Sequence, residues 1–444
     1  MTTPPNTPTA RPAVAGGTLR PAVVVGGNRI PFARANTAYA TASNQEMLTA
    51  ALDGLVARFG LQGERIGQVS AGAVLKHPKN FNLTRESVLG SALASDTPAA
   101  DIQVACATGM EALGTLASKI RLGQIESAIG GGVDSISDSP VSVSDGARRV
   151  LMQLNAAKTL KDRLKAVSQL RPNQLVPEPA GASEPRTGMS MGEHQALTTH
   201  QWGITREAQD ELAVASHRNL AAAYDSGFMD DLVTPFRGLT RDNNLRPDSS
   251  MEKLAKLKPA FGRQLGDEAT MTAANSTPLT DGASAVLLAS EDWAAERGLP
   301  MLAEFVDAEN GAVDFVDGKE GLLMAPAYAV PRLLARHGLT LDDLDFIEIH
   351  EAFAGTVLAT MKAWESEEFG RERLGLDGAF GTVDRSKLNV HGSSLAAGHP
   401  FAATGGRIVA LLAKALHQKG EGSLGLISVC AAGGQGIVAL LRGR

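Results

Sequence analysis

Apolar residues along this chain fall into short continuous runs that alternate with stretches of helical spacing. The run Ala22–Val25 reads as a buried strand ending at Gly26-Gly27. A helix is expected over Asn44–Phe59, with Ser43 or Asn44 as its cap, and a strand near Val69–Val74. Asp101–Ala105 reads as a strand running directly into Cys106. Beyond it Met110, Leu113, Leu116, Ala117 and Ile120 recur on one helix face up to Gly123. Ser127–Ile129 is a further short strand, stopped by Gly130-Gly131-Gly132. Strands alternating with helices imply an α/β architecture with largely parallel sheets.

The middle of the chain, 141–269, breaks this rhythm. It holds a basic helical stretch from Arg148 to Arg171, a Pro- and Gly-rich loop from Pro172 to Gly188, and a helix over Arg206–Ser226. It reads as an inserted or capping region. Ala283–Ala289 returns as a strand; a helix at Ala327–His337, a strand at Phe346–His350 and a helix starting near Ala352 follow. The last hundred residues echo the first half. Cys106-Ala107-Thr108-Gly109, a helix to Arg121 and Ser127–Gly132 correspond to Ala403-Thr404-Gly405-Gly406, a helix over Arg407–Lys419 and Leu424–Gly434. A duplicated unit follows from that echo. The first residues, 1–18, are rich in Pro, Thr and Ala without an apolar core, and read as a disordered tail rather than a signal peptide.

Composition narrows the classes. With 444 residues, 43% hydrophobic and 20% charged, the chain has ample material for two or three domains. Its 47 glycines and 4% aromatics suit helices packed tightly on sheets. A net charge of -6 argues against a nucleic-acid partner, which demands a dominant basic face. An anionic small molecule needs only a local basic patch and is not excluded. Two cysteines, Cys106 and Cys430, are too few for a disulfide framework and are not spaced as metal ligands, so a cytoplasmic location is expected.

Cys106 is placed where a strand turns into a helix, so the helix dipole and free N–H groups are expected to ease its ionisation. A lone cysteine is more often buried and inert. Three further segments change that balance: His350-Glu351-Ala352-Phe353-Ala354, Gly398-His399-Pro400-Phe401-Ala402-Ala403-Thr404-Gly405, and Cys430-Ala431-Ala432-Gly433-Gly434-Gln435-Gly436. Each lies at a predicted strand end or helix start. In open α/β sheets ligands bind beyond the carboxyl ends of strands, so these side chains can converge on one crevice.

In order and spacing these four segments resemble the signature blocks of the thiolase family. Asn28-Arg29-Ile30-Pro31-Phe32, Ser190-Met191-Gly192-Glu193 and Ala274-Asn275-Ser276-Thr277-Pro278-Leu279-Thr280-Asp281-Gly282-Ala283 add to the resemblance, which runs from about Ala22 to Leu441. His-Glu-Ala-Phe-Ala and Cys-Ala-Ala-Gly-Gly are most similar to trifunctional-protein β-subunits and their bacterial long-chain counterparts. The resemblance implies a duplicated α/β fold in a layered αβαβα arrangement: an N-terminal half over 19–140 plus 270–295, an inserted loop domain over 141–269, and a C-terminal half over 296–444.

It also implies roles. Cys106 is the acylated nucleophile, His399 supports its thiolate and donates to the enolate oxygen, and Cys430 is the acid/base at the acetyl α-carbon. His350 helps hold a water in that oxyanion hole, and the backbone N–H groups of Cys106 and Ala432 form a second one. Coenzyme A is a substrate, with no permanently bound cofactor and no metal. The implied reaction is acetyl-CoA C-acyltransfer, the cleavage of 3-ketoacyl-CoA in fatty-acid β-oxidation; the alternative is acetyl-CoA C-acetyltransfer making acetoacetyl-CoA. Implied partners are a second copy or three further copies of the chain, and a hydratase/dehydrogenase α-subunit of a β-oxidation complex. Ala432, Ala402 and Ala403 depart from the glycines common in the family, and an alanine at 432 keeps the N–H donor provided its φ is negative.

Other residues carry two readings each. Glu351 orients neighbours more readily than it reacts. Met191 and Phe353 line an acyl pocket or simply the core. Thr277 contacts the pantetheine arm or closes a turn. The stretch 148–171 is a solvated helix with a packed apolar side, a contact for coenzyme A or the acyl chain, or a docking surface for a membrane or partner.

Overall fold

The structure, a computed structural model, describes residues 19–181 and 183–444. The tail expected over 1–18 lies outside the described residues. The strands that build the site are β1 (Ala22–Arg29), β2 (Gln68–Ala71), β3 (Ala99–Asp101), β4 (Ser127–Asp134), β5 (Thr280–Ser290), β6 (Ala303–Ala312), β7 (Phe346–Ile349), β8 (Leu424–Ala431) and β9 (Gln435–Gly443). The helices that pack on them or shape the site are α1 (Asn44–Phe59), α2 (Thr108–Arg121), α3 (Asp145–Ala156), α4 (Leu160–Val167), α5 (Met191–Gln201), α6 (Arg206–Asp225), α7 (Ala325–Arg336), α8 (Ala354–Glu365) and α9 (Thr404–Lys419).

The expected duplication is visible as repeated topology. In the first half the order is β3-β2-β4-β5-β1, with β2 parallel to β3 and β4, and β5 antiparallel to β4 and β1. In the second it is β7-β8-β9-β6, with β7 parallel to β8 and β9 antiparallel to β8 and β6. A parallel bridge from Ile347 to Leu388 stands where β3 stands in the first half. The sheets join edge to edge through Val23↔Glu304 and Val24↔Ala303.

Alternation along β1 sorts the layers, because successive side chains point to opposite faces. Val23 and Val25 pack outward on Met47, Leu48, Leu52 and Leu55 of α1. Val24 packs inward with Met110, Leu113 and Leu116 of α2 and with Ile408, Val409 and Leu412 of α9. Beyond the second sheet, Val330, Leu333 and Leu334 of α7 meet Val357, Met361 and Trp364 of α8 over Ile347 and Val438. Helices outside, two sheets, and α2 with α9 between them give the αβαβα stack. The capping expected at α1 is present in full: Ser43 accepts from the Glu46 N–H, and the Glu46 carboxylate accepts from the Ser43 N–H.

Several boundaries differ from the sequence reading for one shared reason. β1 continues through Gly26-Gly27 with a register shift between Val24 and Gly26, and β4 continues through Gly130-Gly131-Gly132 to Asp134. These glycines sit where a helix side chain (Phe59 at Gly26, Ala410 at Gly27, Leu113 at Gly130) or another backbone (at Gly131 and Gly132) presses on the strand. A Cβ at Gly132 would collide with the carbonyl of Ala402, and one at Gly131 with that of Ser284. They mark close packing, not strand ends. The strand expected over 101–105 ends instead at Asp101. The basic stretch 148–171 forms α3 and α4 with a break between them; Val150 and Ala166 are buried, but Leu151, Met152, Leu160, Leu164 and Val167 stay exposed, so its apolar side is only partly packed.

Candidate active site

Cys106 follows a tight elbow rather than a straight strand. Ala105 takes φ +42°, a left-handed conformation costly for a residue with a Cβ. The Thr108 hydroxyl fixes the elbow by accepting from the Val104 N–H at 2.9 Å and donating to the Ala105 carbonyl at 2.7 Å. Cys106 emerges partly buried, two residues before the first residue of α2. The N–H of Ala432, in the turn after β8, donates to its sulfur. That turn is held in place by the Gly433 N–H donating to the buried Glu184 carboxylate at 2.6 Å.

Cys430 is the penultimate residue of β8, pairs with Gly436 of β9, and is buried. It is near enough to Cys106 for the charge of that sulfur to raise its own thiol. Its surroundings are apolar: Met191, Phe261, Met271, Phe315, Leu322 and Phe353. The structure therefore gathers Met191 and Phe353 with Cys430 in one cluster. Thr277 is held differently, since its N–H and hydroxyl both donate to the Ala352 carbonyl, at 3.1 and 3.0 Å. These are bonds between distant segments, not within a turn, and they tie the 274–283 segment to the His350 loop.

The two histidines meet ring to ring, with centroids 4.1 Å apart and planes inclined by 46°. His350 follows β7 and donates its backbone N–H to Ser428 at 2.8 Å; its Nδ1 lies 2.8 Å from the Ser394 hydroxyl. His399 lies in a loop entered through Gly398 at φ +100°, where a Cβ would strike Thr280 Oγ1. Its Nδ1 is 2.6 Å from the Thr404 hydroxyl. Both Nε2 atoms are buried and, among the described residues, have no hydrogen-bond partner. Two unpaired imidazole nitrogens in a buried site are costly unless a ligand or water meets them.

A buried carboxylate stands behind each histidine loop. Asp134, at the end of β4, accepts from the N–H groups of Val74, Leu75 and Ala402, and so ties the His399 loop to the first half. Glu351 accepts from Ser216, Asn389 and the Leu395 N–H, at 2.7, 2.8 and 3.0 Å. All of its acceptor capacity points into the scaffold, in keeping with an orienting role. Sequence reasoning missed Asp134, Ser394, Thr404 and Arg407. Thr404 stands inside a singled-out block, but nothing in spacing distinguishes a partner of an imidazole from an ordinary helix-start threonine.

Burial governs the protonation states. It pushes the Cys106 thiol up to about 12, against the donors from Ala432 and Cys106 itself. Burial, then the nearby Cys106 sulfur, push the Cys430 thiol up as well. Burial and then the Arg407 guanidinium take His399 down to about 3; His350 falls well below its ordinary value through burial, His399 and Arg407. The resting site thus holds two neutral thiols and two neutral imidazoles. The sequence expectation of a readily ionised Cys106 is corrected here: removal from water outweighs the helix terminus. A neutral imidazole can take up a thiol proton as a reaction begins, and each ring nitrogen that carries a proton can donate to a developing oxyanion.

Comparison with known proteins places this arrangement. The family model described as "Thiolase, N-terminal domain" matches residues 22–292, and "Thiolase, C-terminal domain" matches 299–443. The molecule is thus an acyltransferase on a duplicated α/β scaffold. The chain belongs to the thiolase family. It is 43% identical over 423 residues to the 3-ketoacyl-CoA thiolase of Pectobacterium carotovorum subsp. carotovorum (strain PC1), covering 94% of this chain and 95% of that one. The 3-ketoacyl-CoA thiolase of Yersinia pestis (strain Pestoides F) is 42% identical over 425 residues, with 94% and 96% covered. Among solved structures, Acat5 thiolase from Ascaris suum in complex with coenzyme A superposes with a TM-score of 0.78 at 26% identity, over 96% of this chain and 100% of that one.

Proposed function

We propose that this chain is a 3-ketoacyl-CoA thiolase of fatty-acid β-oxidation, cleaving 3-ketoacyl-CoA with coenzyme A to acetyl-CoA and a shortened acyl-CoA. The observation that carries the reading is the Ala432 N–H on the Cys106 sulfur with Cys430 beside it, at the ends of strands from both halves. The 3-ketoacyl-CoA thiolases at 42 and 43% identity support the same substrate class.

In this reading His399 Nε2 takes the Cys106 proton as the sulfur attacks the 3-keto carbon. The new oxyanion is met by the N–H groups of Cys106 and Ala432. The C2–C3 bond breaks, its electron pair becomes the acetyl-CoA enolate, and the protonated His399 and His350 donate to the enolate oxygen. The Cys430 thiol then protonates C2 and becomes a thiolate. That thiolate takes the proton of incoming coenzyme A, whose sulfur attacks the acyl-cysteine. Cys106 leaves as a thiolate and recovers its proton from His399. One oxyanion donor of this kind is commonly worth about 3–4 kcal/mol, enough to make the buried, preorganised site the main source of rate.

Met191 and Phe353 line the acyl path in this proposal, and Thr277 is its contact for the pantetheine arm. The assembly expected from the resemblance, two or four copies in the cytoplasm with a hydratase/dehydrogenase α-subunit as partner, belongs to the same reading. Replacing Cys106 by Ala removes the acyl acceptor, so the acyl mass added by acyl-CoA, read by intact-protein mass spectrometry, disappears. Cys430→Ala keeps that adduct but loses exchange of the acetyl α-protons with deuterated solvent. An adduct surviving in Cys106→Ala, or unchanged exchange in Cys430→Ala, refutes the assignment.

A further inference from the structure

Behind His350 lies a chain of buried donors that ends on its ring. Arg407, in the first turn of α9, points Nη2 at the hydroxyls of Ser393 and Ser394, at 3.2 and 3.0 Å. Ser394 Oγ is in turn 2.8 Å from His350 Nδ1. Ser394 and His350 are fully buried and Arg407 nearly so.

The direction of every proton in this chain follows from valence. A guanidinium has only donors, so Ser394 Oγ must accept from Arg407. A serine hydroxyl has one proton of its own, and leaving it unbonded in the interior costs about 1–3 kcal/mol. Among the described residues the acceptor within reach is His350 Nδ1. Ser394 therefore donates to Nδ1, and a neutral ring that accepts at Nδ1 must carry its proton on Nε2. Nε2 is the atom left without a partner beside His399.

We infer that Arg407 and Ser394 are positioning residues that lock His350 in its Nε2–H tautomer, so that it faces the reacting oxygen as a ready-made neutral hydrogen-bond donor. Without the relay the ring is free to invert its polarity and present a lone pair to an oxyanion, which repels. The rest of the chain is arranged to keep the relay in register. Ser393 donates its N–H to Ser216, and Glu351 accepts from both Ser216 and the Leu395 N–H, so both flanks of Ser394 are pinned. The low basicity of His350 keeps it neutral, since burial, His399 and Arg407 all disfavour a second proton. His399 Nδ1 meets the Thr404 hydroxyl instead, to which, among the described residues, no guanidinium is bonded.

This inference rests on the proposed reaction for its consequence but not for its test. The full chain labelled with 15N-histidine is examined by long-range 15N–1H correlation, with the His350 signals assigned by their loss in His350→Gln. Wild type is expected to show a protonated Nε2 and a bare Nδ1 at pH 7.5. A protonated Nδ1 overturns the inference whatever the activity. In Ser394→Ala the Nε2–H form loses its dominance, and kcat for acetoacetyl-CoA cleavage falls about 10- to 100-fold with KM changed less than about 3-fold. Ser394→Thr, which keeps the hydroxyl, restores the tautomer. An unaltered tautomer and kcat in Ser394→Ala overturns the relay; a wild-type Nε2–H tautomer in a chain without thiolysis would fault the reaction instead.

Discussion

At Cys106 two influences on one sulfur oppose each other, and their balance decides how the site is primed. Desolvation of a buried thiolate raises a thiol by up to several units, whereas one or two backbone N–H donors lower it by less. The result is the elevated value near 12, so the free enzyme keeps Cys106 protonated and spares it from indiscriminate oxidation. The rate of Cys106 alkylation by iodoacetamide, followed by mass spectrometry, should therefore keep climbing with pH from 7 through 10. A plateau at neutral pH would mean a preformed thiolate and would contradict this account. Of the residues proposed for the site, Cys106, His350, His399 and Cys430 were legible in the sequence because each sits at a predicted strand end or helix start within a block that resembles a thiolase signature. Asp134, Ser394, Thr404 and Arg407 were not. Their importance comes from what they touch across separations of up to 268 residues, as with Asp134 and Ala402, and no local pattern records that.

Among the elements, α2 and α9 show how the duplication creates the site. Their N-termini cross at Gly109 and Gly405, where a Cβ on Gly405 would come within 2.5 Å of the Met110 nitrogen. The helical periodicity of both was plain in the sequence, and so was the α/β alternation. What periodicity could not reveal is that glycines inside β1 and β4 serve close packing against helix side chains and a neighbouring backbone, since a glycine reads locally as a break. Gly109→Ala puts numbers on that contact. In an isolated helix the change would stabilise by about 1 kcal/mol. Here the added Cβ would lie 2.7 Å from the Ala402 carbonyl oxygen and 3.1 Å from the Gly406 nitrogen, both backbone atoms that cannot rotate away. Overpacking of this sort costs about 1–3 kcal/mol, and the clash wins. The urea midpoint should fall, and kcat with it, because Ala402 belongs to the loop that carries His399. A variant of unchanged midpoint and activity would show that the helix crossing has slack.

Taken as a whole molecule, the chain buries ionisable groups that pull its stability in opposite directions with pH. His217 and His391, each near 4, and His399, near 3, lie below the ordinary 6.5 mainly because they are removed from water. Below pH 6.5 the unfolded chain takes up protons that the folded one refuses, so their contribution is lost as pH falls from 6.5 toward 4 and 3. Asp134, near 7, and Glu348, near 8, are raised by burial, with Arg407 opposing the rise at Glu348. For them the folded state holds protons that the unfolded chain has released, so their contribution is present below about pH 4 and is lost as pH rises to 7 and 8. Each net proton is worth about 1.4 kcal/mol per pH unit. Below 6.5 the histidines outnumber the two carboxyls; above it only the carboxyls remain. Stability should therefore peak near pH 6.5 and decline on both sides. Calorimetric melting of the full chain from pH 4.5 to 8.5 tests this, with Glu348→Gln as the discriminating variant. That change keeps the shape of the side chain and removes its titration, so the alkaline decline should become shallower and the acid limb steeper, because Glu348 offsets one histidine between about pH 4.5 and 6.5. A wild-type Tm that rises steadily through pH 8 would rule out buried, protonated carboxyls as the cause of any alkaline loss.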